Sequence, residues 1–336
     1  MRILLVGHSL LSPWTDYTHR ALERLGHSVE RFYCTSLLVD RLTLFGDKNP
    51  AAKNPGSGKS LRGLRDRWHR WRDRRLIRAA RACRPDLLLV LWGNTLSPEL
   101  LCSLKKETGA RLATWWLDDP FRHKAGKLIP LYDFFFIFDR SYLEPLKNAG
   151  AQNARFLPCA CDESVYFPRR LTPRERTRYA SDVAWVAWYY PDRGRIVQAL
   201  EGVDLKIWGR HWPGNMAEGD RFVKDTVAAK IYSATKIGLN SHSDQSREGG
   251  LNTRSFELLA AGAFELTDAV EGMEELLEPG RELAVYRSPK EAEELVRHYL
   301  KHPEERTKMA RAGRERVLAQ HTYLHRMKTL LGEIER

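Results

Sequence analysis

Asp86–Trp92 reads DLLLVLW, five aliphatic side chains in a row with no polar break. A half-exposed strand would alternate apolar and polar residues, so an unbroken run describes a strand covered on both faces. Such strands occur where helices sandwich a parallel sheet, and the neighbouring sequence supplies the other parts. Arg2–Gly7 reads as a strand, Asp16–Leu25 as a helix and Val29–Cys34 as a second strand. A polar loop, Gly46–Gly58, leads into a basic helix. Ser97 then offers an N-cap with Pro98 at the first helical position. Arg111–Leu117, Asp133–Phe138 and Arg155–Leu157 read as further strands. Strands alternating with helices at this pace predict a doubly wound parallel sheet.

The Pro- and Arg-rich stretch Pro158–Arg178 breaks the pattern and reads as a linker. The alternation then restarts, with strands at Asp182–Val186, Leu205–Trp208, Lys236–Leu239 and Phe264–Thr267 and helices at Arg193–Leu200 and Thr253–Ala261. From Pro289 the chain reads as helical nearly to its end. A length of 336 residues suits two domains of roughly 150 each. No stretch approaches the ~18 consecutive apolar residues of a membrane span. The run after Arg2 is only Ile-Leu-Leu-Val, too short for a signal-peptide core. Five cysteines, Cys34, Cys83, Cys102, Cys159 and Cys161, lack zinc-finger spacing and fit reduced thiols in a cytoplasm.

The net charge of +12 is a localised property. Between Lys59 and Arg84 eleven Lys or Arg face two Asp, which leaves only three net charges for the rest of the chain. Leu61, Leu64, Trp68 and Trp71 recur at helical spacing within this segment, with Arg on the remaining faces. The helix either packs on its own domain with a solvated basic face, or lies at an anionic membrane surface with its tryptophans at the boundary. In the second case the protein is peripheral to the inner face of the membrane. Nucleic acid is disfavoured as a partner, because the charge is one helix and not a groove spanning both halves.

Ligands of doubly wound sheets bind at the carboxyl ends of the strands. In the first half those positions hold Gly7-His8-Ser9, Trp92-Gly93-Asn94 and Asp118-Asp119-Pro120. In the second they hold Gly209-Arg210-His211, Asn240-Ser241-His242 and Thr267-Asp268, with a helix start at Asn252-Thr253. A helix N-terminus beside an arginine suits an anion, because unpaired backbone N–H groups and the helix dipole both favour negative charge. One half then suits an acceptor and the other a diphosphate.

The stretch LNSHSDQSREGGLNTRSFELLAAGAFELTD, Leu239–Asp268, resembles the carboxyl-terminal half of GT-B glycosyltransferases. More narrowly it is similar to the spore-maturation, CgeB-type glycosyltransferase-like family. LLEPGRELAVYRSPKEAEELV, AGRERVLAQHTYLHRM, ATWWLDDPFR, LYDFFFIFDRSY, FLPCACDESVYFP and the opening MRILLVG extend the likeness over nearly the whole chain. The resemblance implies an α/β GT-B fold with two Rossmann-like domains facing a central cleft. Residues 1–165 would be the acceptor domain, with a last helix at 321–336 packing back on it, and 175–320 the nucleotide-sugar donor domain. It implies a metal-independent, hexosyltransferase-like enzyme without a cofactor. Its partners would be a nucleoside-diphosphate sugar as donor and a glycan, lipid or protein as acceptor. Glu257 would hold the donor ribose, and Asn252 and Arg254 would face the diphosphate with Arg210 and Asn240. The glutamate that related enzymes carry eight residues before Glu257 is Gly249 here, and their glycine after the first donor-domain strand is Ala187.

Asp119 is a candidate for acceptor activation and His8 its rival, although an Asp before Pro is also an ordinary helix start. Glu257 and Arg254 also have the i,i+3 spacing of a surface ion pair. Asn240 would equally serve a turn, and Arg210 a solvated loop. Gly58-Lys59-Ser60 lacks the preceding glycine and strand of a phosphate-binding loop. His298 with His302, and His321 with His325, have metal-ligand spacing without the glutamate of a zinc protease helix. The rival functions are a GT-B sugar-nucleotide epimerase, and a polysaccharide- or membrane-surface-binding protein on a degenerate transferase scaffold.

Overall fold

The structure, a computed structural model, describes residues 1–8, 13–34, 58–123 and 125–336. The expected loop from Gly46 up to Gly58 and the side chains of Leu61 and Leu64 lie outside the described residues. The chain divides into two compact units, Met1–Leu157 with Met327–Arg336, and Pro158–Arg326.

The first unit runs β1 (Arg2–Gly7), α1 (Trp14–Arg24), β2 (Ser28–Tyr33), α2 (Gly58–Cys83), β3 (Leu87–Leu91), α3 (Pro98–Thr108) and β4 (Arg111–Trp116). It continues with β5 (Phe134–Ile137), α4 (Leu143–Asn148) and β6 (Ala154–Phe156). The strands form one sheet in the order β2-β1-β3-β4-β5-β6, every pair parallel. All five residues of β3 are buried, as the apolar run requires. Ser97 Oγ caps α3 by accepting from Leu100 N at 3.2 Å, and Gly109 ends the helix at φ +66°. The chain moves outward from β1 to β2 and then returns to the other side of β1, so the topological switch lies between β1 and β3.

The second unit contains α5 (Pro173–Tyr179), β7 (Ser181–Val186), α6 (Pro191–Ala199), β8 (Leu205–Trp208), α7 (Asp225–Ala234), β9 (Thr235–Leu239) and α8 (Thr253–Ala260). β10 (Glu265–Asp268), β11 (Ala284–Tyr286), α9 (Pro289–Lys301) and α10 (Pro303–Gln320) follow; the last helix, α11 (Tyr323–Glu335), belongs from Met327 onward to the first unit. Its parallel sheet has the order β11-β10-β9-β7-β8, which puts the switch between β7 and β9. Val183, Trp185, Ile207, Ile237, Leu239 and Leu266 fill the core.

Three elements differ from the sequence reading. Only the end of the stretch read as a linker folds, into α5, started by a capping box in which Thr172 and Glu175 satisfy each other's backbone. α7 was not foreseen, and its N-cap Lys224 makes no side-chain cap that would announce it. β11 is only three residues long, below what alternation reveals.

Candidate active site

In the second unit the polar groups gather at the β7–β9 switch. Asn240, directly after β9, is completely buried. Its Nδ2 donates to Glu265 Oε1 at 2.8 Å and to Ser255 Oγ at 3.0 Å. Asn240 and Asn252 exchange amide hydrogen bonds, both at 3.2 Å, while Asn252 Oδ1 caps α8 by accepting from Ser255 N. Arg254 Nη1 donates to Asn240 Oδ1 at 2.8 Å. Asn240 therefore fixes the start of α8 and aims Arg254, and it acts on any ligand through these neighbours. Burial raises the carboxyl of Glu265 above its usual range, against the hydrogen bond from Asn240 and the charge of His242.

Arg193, in the first turn of α6, crosses the same switch. Its guanidinium donates to Ser241 Oγ at 2.9 Å, to Ser241 O at 3.1 Å and to Trp188 O at 2.7 Å. Burial, and then the charge of Arg254, pull its pKa down to about 10. Two guanidinium groups that repel each other beside a helix N-terminus form a place prepared for an anion. Sequence reasoning missed Arg193; its one signal is its place just after Pro191-Asp192, at the start of the helix that follows β7.

Glu257 is half-buried. Burial first, and then the charge of Asp225, lift its carboxyl to about 8, against Arg254 and hydrogen bonds from Thr253 and Tyr166. The expected alternative of an Arg254–Glu257 ion pair is not what forms, since Arg254 turns to Asn240 instead. Arg210, after β8, lies 3.8 Å from Asp220 with its side chain one-fifth exposed. His242 was also missed as a participant. Its side chain is 2% exposed, its Nδ1 lies 2.7 Å from Asp268 Oδ1, and its Nε2 has no partner among the described residues. Burial pushes the Asp268 carboxyl up, but the His242 side-chain and backbone N–H groups more than offset this and hold it low.

Backbone geometry accounts for the two departures from the expected pattern. Gly249 sits at φ +68°, where a glutamate would be strained. Ala187 is 3% exposed and belongs to the core, with its carbonyl accepting from Trp212 Nε1 at 2.8 Å. Close approach falls to Gly209 instead. At φ +146° it lies so near Ala187 that an added Cβ would stand 1.9 Å from the Ala187 oxygen.

In the first unit, His8 follows β1 and Trp92 follows β3, on either side of the switch. His8 Nε2 lies 3.2 Å from Trp92 O, and the two rings are 5.0 Å apart. Trp92 holds a left-handed φ of +51°, uncommon for a bulky residue. Trp14 and His123 flank its ring at 6.4 and 5.3 Å. Asp119 is 9% exposed and its Oδ1 accepts from Phe121 N and Arg122 N, the work of a turn cap. Its neighbour Asp118 instead pairs with His123, Oδ2 to Nε2 at 2.8 Å.

His298 and His302 meet Glu305 from the next helix, and among the described residues this group alone has the spacing to hold a metal ion. His298 Nε2 is 3.0 Å from Glu305 Oε2. Helix α2 packs through Arg72, Leu76 and Ala80 and leaves Trp71 53% exposed among Arg67, Arg70, Arg74 and Arg75. No helix of the described residues is long and apolar enough to cross a membrane.

Residues 193–332 match the model of the glycosyl transferase-like family. The chain is 23% identical over 267 residues to the spore protein CgeB of Bacillus subtilis, covering 72% of this chain and 80% of that one. Among solved structures, HepE of Anabaena with UDP and glucose superposes with a TM-score of 0.65 at 10% identity over the whole of both chains. The sucrose-phosphate synthase of Thermosynechococcus elongatus gives 0.63 at 13% identity, covering 99% of this chain and 98% of that one. The trehalose-6-phosphate synthase OtsA gives 0.64 at 11%, covering 100% and 99%.

Proposed function

We propose that this chain, which has the GT-B fold and resembles the CgeB-type glycosyltransferase-like family, moves a sugar from a nucleoside-diphosphate sugar to an acceptor. The observation that carries the reading is the meeting of Arg193 and Arg254 at the β7–β9 switch beside the start of α8. A diphosphate is the ligand that relieves their repulsion. That HepE was solved with UDP and with UDP-glucose supports a nucleotide sugar as the donor.

Transfer to an acceptor passes through a transition state with oxocarbenium character, while negative charge builds on the departing diphosphate. Arg254, Arg193, Arg210 and the α8 N–H groups stabilise that charge in place of a metal ion. Asn252 and Asn240 hold the helix start and Arg254 in position. Glu257 receives the ribose hydroxyls. In the first unit His8 and Asp119 serve the acceptor by positioning: His8 against the Trp92 carbonyl, Asp119 by shaping the turn that carries Asp118 and His123.

Isothermal calorimetry with UDP-glucose, in buffer containing EDTA, tests the donor assignment. Arg254→Ala and Glu257→Ala should each remove a charge-assisted hydrogen bond of about 1.5–3 kcal/mol, weakening binding roughly 10- to 150-fold. Unchanged affinity in both variants would overturn it. Release of UDP with a glycosylated acceptor, as opposed to an altered donor sugar, excludes an epimerase.

A second role is favoured by α2. Trp71 stands exposed among arginines, and Arg75 stacks over its ring at 4.8 Å, an arrangement suited to an anionic bilayer surface.

A further inference from the structure

We infer that His298, His302 and Glu305 form a binding site for a divalent transition-metal ion of the zinc class, which clips α9 to α10. The site stands apart from the transfer reading, since none of the three residues belongs to the network at the β7–β9 switch. The sequence sets the two histidines four residues apart at the end of α9, a spacing that brings two imidazoles together on one helix face. Glu305 is seven residues from His298, and in an unbroken helix it would stand roughly 10 Å further along the axis. Pro303 breaks that continuation. A proline ring disfavours helical backbone in the residue before it, and His302 turns to φ −119° and ψ 71°. α10 then starts in a new direction, with Pro303 in its first turn.

The corner returns Glu305 to His298, with Oε2 3.0 Å from Nε2. One ligand atom from each of the three residues lies within 4.8 Å of the others. A tetrahedral zinc ion with bonds of about 2.0–2.2 Å keeps its ligand atoms roughly 3.3–3.6 Å apart, so side-chain rotation closes the set. His302 is already prepared. Its Nδ1 lies 2.7 Å from the His298 carbonyl oxygen, and a carbonyl only accepts. The proton therefore sits on Nδ1, and the Nε2 lone pair is left to coordinate. A backbone carbonyl holding the far nitrogen is the usual support of a metal-bound imidazole. The two rings stack with centroids 4.1 Å apart, and Tyr299 packs edge-on against His298 at 4.9 Å.

The neighbouring cation does not compete for the place, because the Arg306 guanidinium donates to the carbonyls of Tyr299 and Leu300. With a metal ion bound, His298 carries its proton on Nδ1, and both imidazoles face the ion through Nε2. Two imidazoles and one carboxylate suit zinc, nickel or copper, whereas magnesium and calcium prefer oxygen ligands alone. The side chains of His298 and Glu305 are 44% and 51% exposed, which leaves a fourth position open to water. The consequence is mechanical. α9 packs on α6 and β11, and α10 packs on α8, so an ion at their corner ties together two helices that cover different parts of the second unit.

Metal titrations of the full chain, first stripped with EDTA, test this. In calorimetry Zn²⁺ should bind this site stoichiometrically and, at about a hundredfold excess over Kd, raise the melting temperature of the second unit by roughly 5–10 °C. Mg²⁺ should do neither. Glu305→Gln and His302→Gln should each weaken Zn²⁺ binding by at least the roughly 10- to 100-fold that losing a supporting partner costs, and should remove the melting shift. Glu305→Gln, an exposed and isosteric change, should melt as the wild type does in EDTA. Co²⁺ should give the visible bands of a tetrahedral ion without the near-ultraviolet charge-transfer band of a thiolate, which separates this site from the five cysteines. Binding that neither variant weakens, a thiolate band, a melting rise matched by Mg²⁺, or no stoichiometric binding would each overturn the site. Were His302 only a cap on α9, His302→Gln would lower the melting temperature equally with and without Zn²⁺, and that outcome overturns it too.

Discussion

Replacing Glu257 with glutamine should stabilise the fold and weaken donor binding, and both effects should grow with pH. The carboxyl is lifted from 4.5 to about 8, first by burial and then by Asp225. The native state therefore holds this proton more tightly than the unfolded chain. Stability is untouched by the group below about pH 4.5, declines as pH rises toward 8, and stays reduced above it. Each tenfold change in proton affinity is worth about 1.4 kcal/mol, so the ceiling is about 5 kcal/mol, and screening at a half-buried position leaves a couple of kcal/mol. For a unit of this size that is a gain of roughly 4–8 °C in melting temperature at pH 9 and almost none at pH 5. Binding runs the other way. A carboxylate accepts from two ribose hydroxyls at once, so wild-type affinity for UDP-glucose should rise with pH, by no more than the roughly 10- to 150-fold that Glu257→Ala removes, and level off above about 8. The diphosphate of a nucleotide sugar is a diester and does not titrate there, and the Glu257→Gln curve should be flat. Scanning calorimetry and titration calorimetry at pH 5, 7 and 9 read both quantities. Equal melting shifts at pH 5 and 9, or a wild-type affinity independent of pH, would refute the reasoning.

Two other consequences are more direct. Gly209→Ala puts a methyl group 1.9 Å from the Ala187 oxygen at a φ of +146°, so it should lower stability by more than about 3 kcal/mol in chemical denaturation, whereas wild-type-like stability would mean the β7–β8 corner relaxes freely. Sedimentation with phosphatidylglycerol vesicles should show binding by α2 that 0.5 M salt reverses and that Arg70→Glu with Arg74→Glu lowers at least tenfold; neutral phosphatidylcholine vesicles should not bind, and salt-insensitive or absent binding would sink the membrane role.

The fold was legible because its strands are apolar and its helices carry their own start signals. Leu87–Leu91 could hardly be anything but a central strand, and Ser97-Pro98 announces α3 by joining a capping hydroxyl to a residue already set for the first helical turn. What sequence could not supply was the pairing of residues distant along the chain. Asn240 and Glu257 were both noticed, yet only the fold shows that the first is enclosed by Asn252, Ser255 and Glu265 while the second stays reachable. Arg193 was hidden in a predicted helix, because its value lies in reaching Ser241, 48 residues on. Asp118 and Asp119 are indistinguishable as letters. One caps a turn and the other holds a histidine, a division decided by backbone direction after β4.

The two switches have opposite chemistry, and that difference has a physical basis. At β7–β9 the chain concentrates positive charge and rigid amides, with Asn240, Asn252 and Glu265 locked into one network that leaves little room for rearrangement. A diphosphate whose charge grows during reaction gains most from dipoles already fixed in place. At β1–β3 it concentrates aromatic surface, and Trp92 Nε1 and Asn94 Oδ1 lie buried without a partner among the described residues. Arg193→Leu should accordingly impair donor binding more than the loss of one contact suggests, because it also releases Ser241 and Trp188 and loosens the switch that presents Arg254.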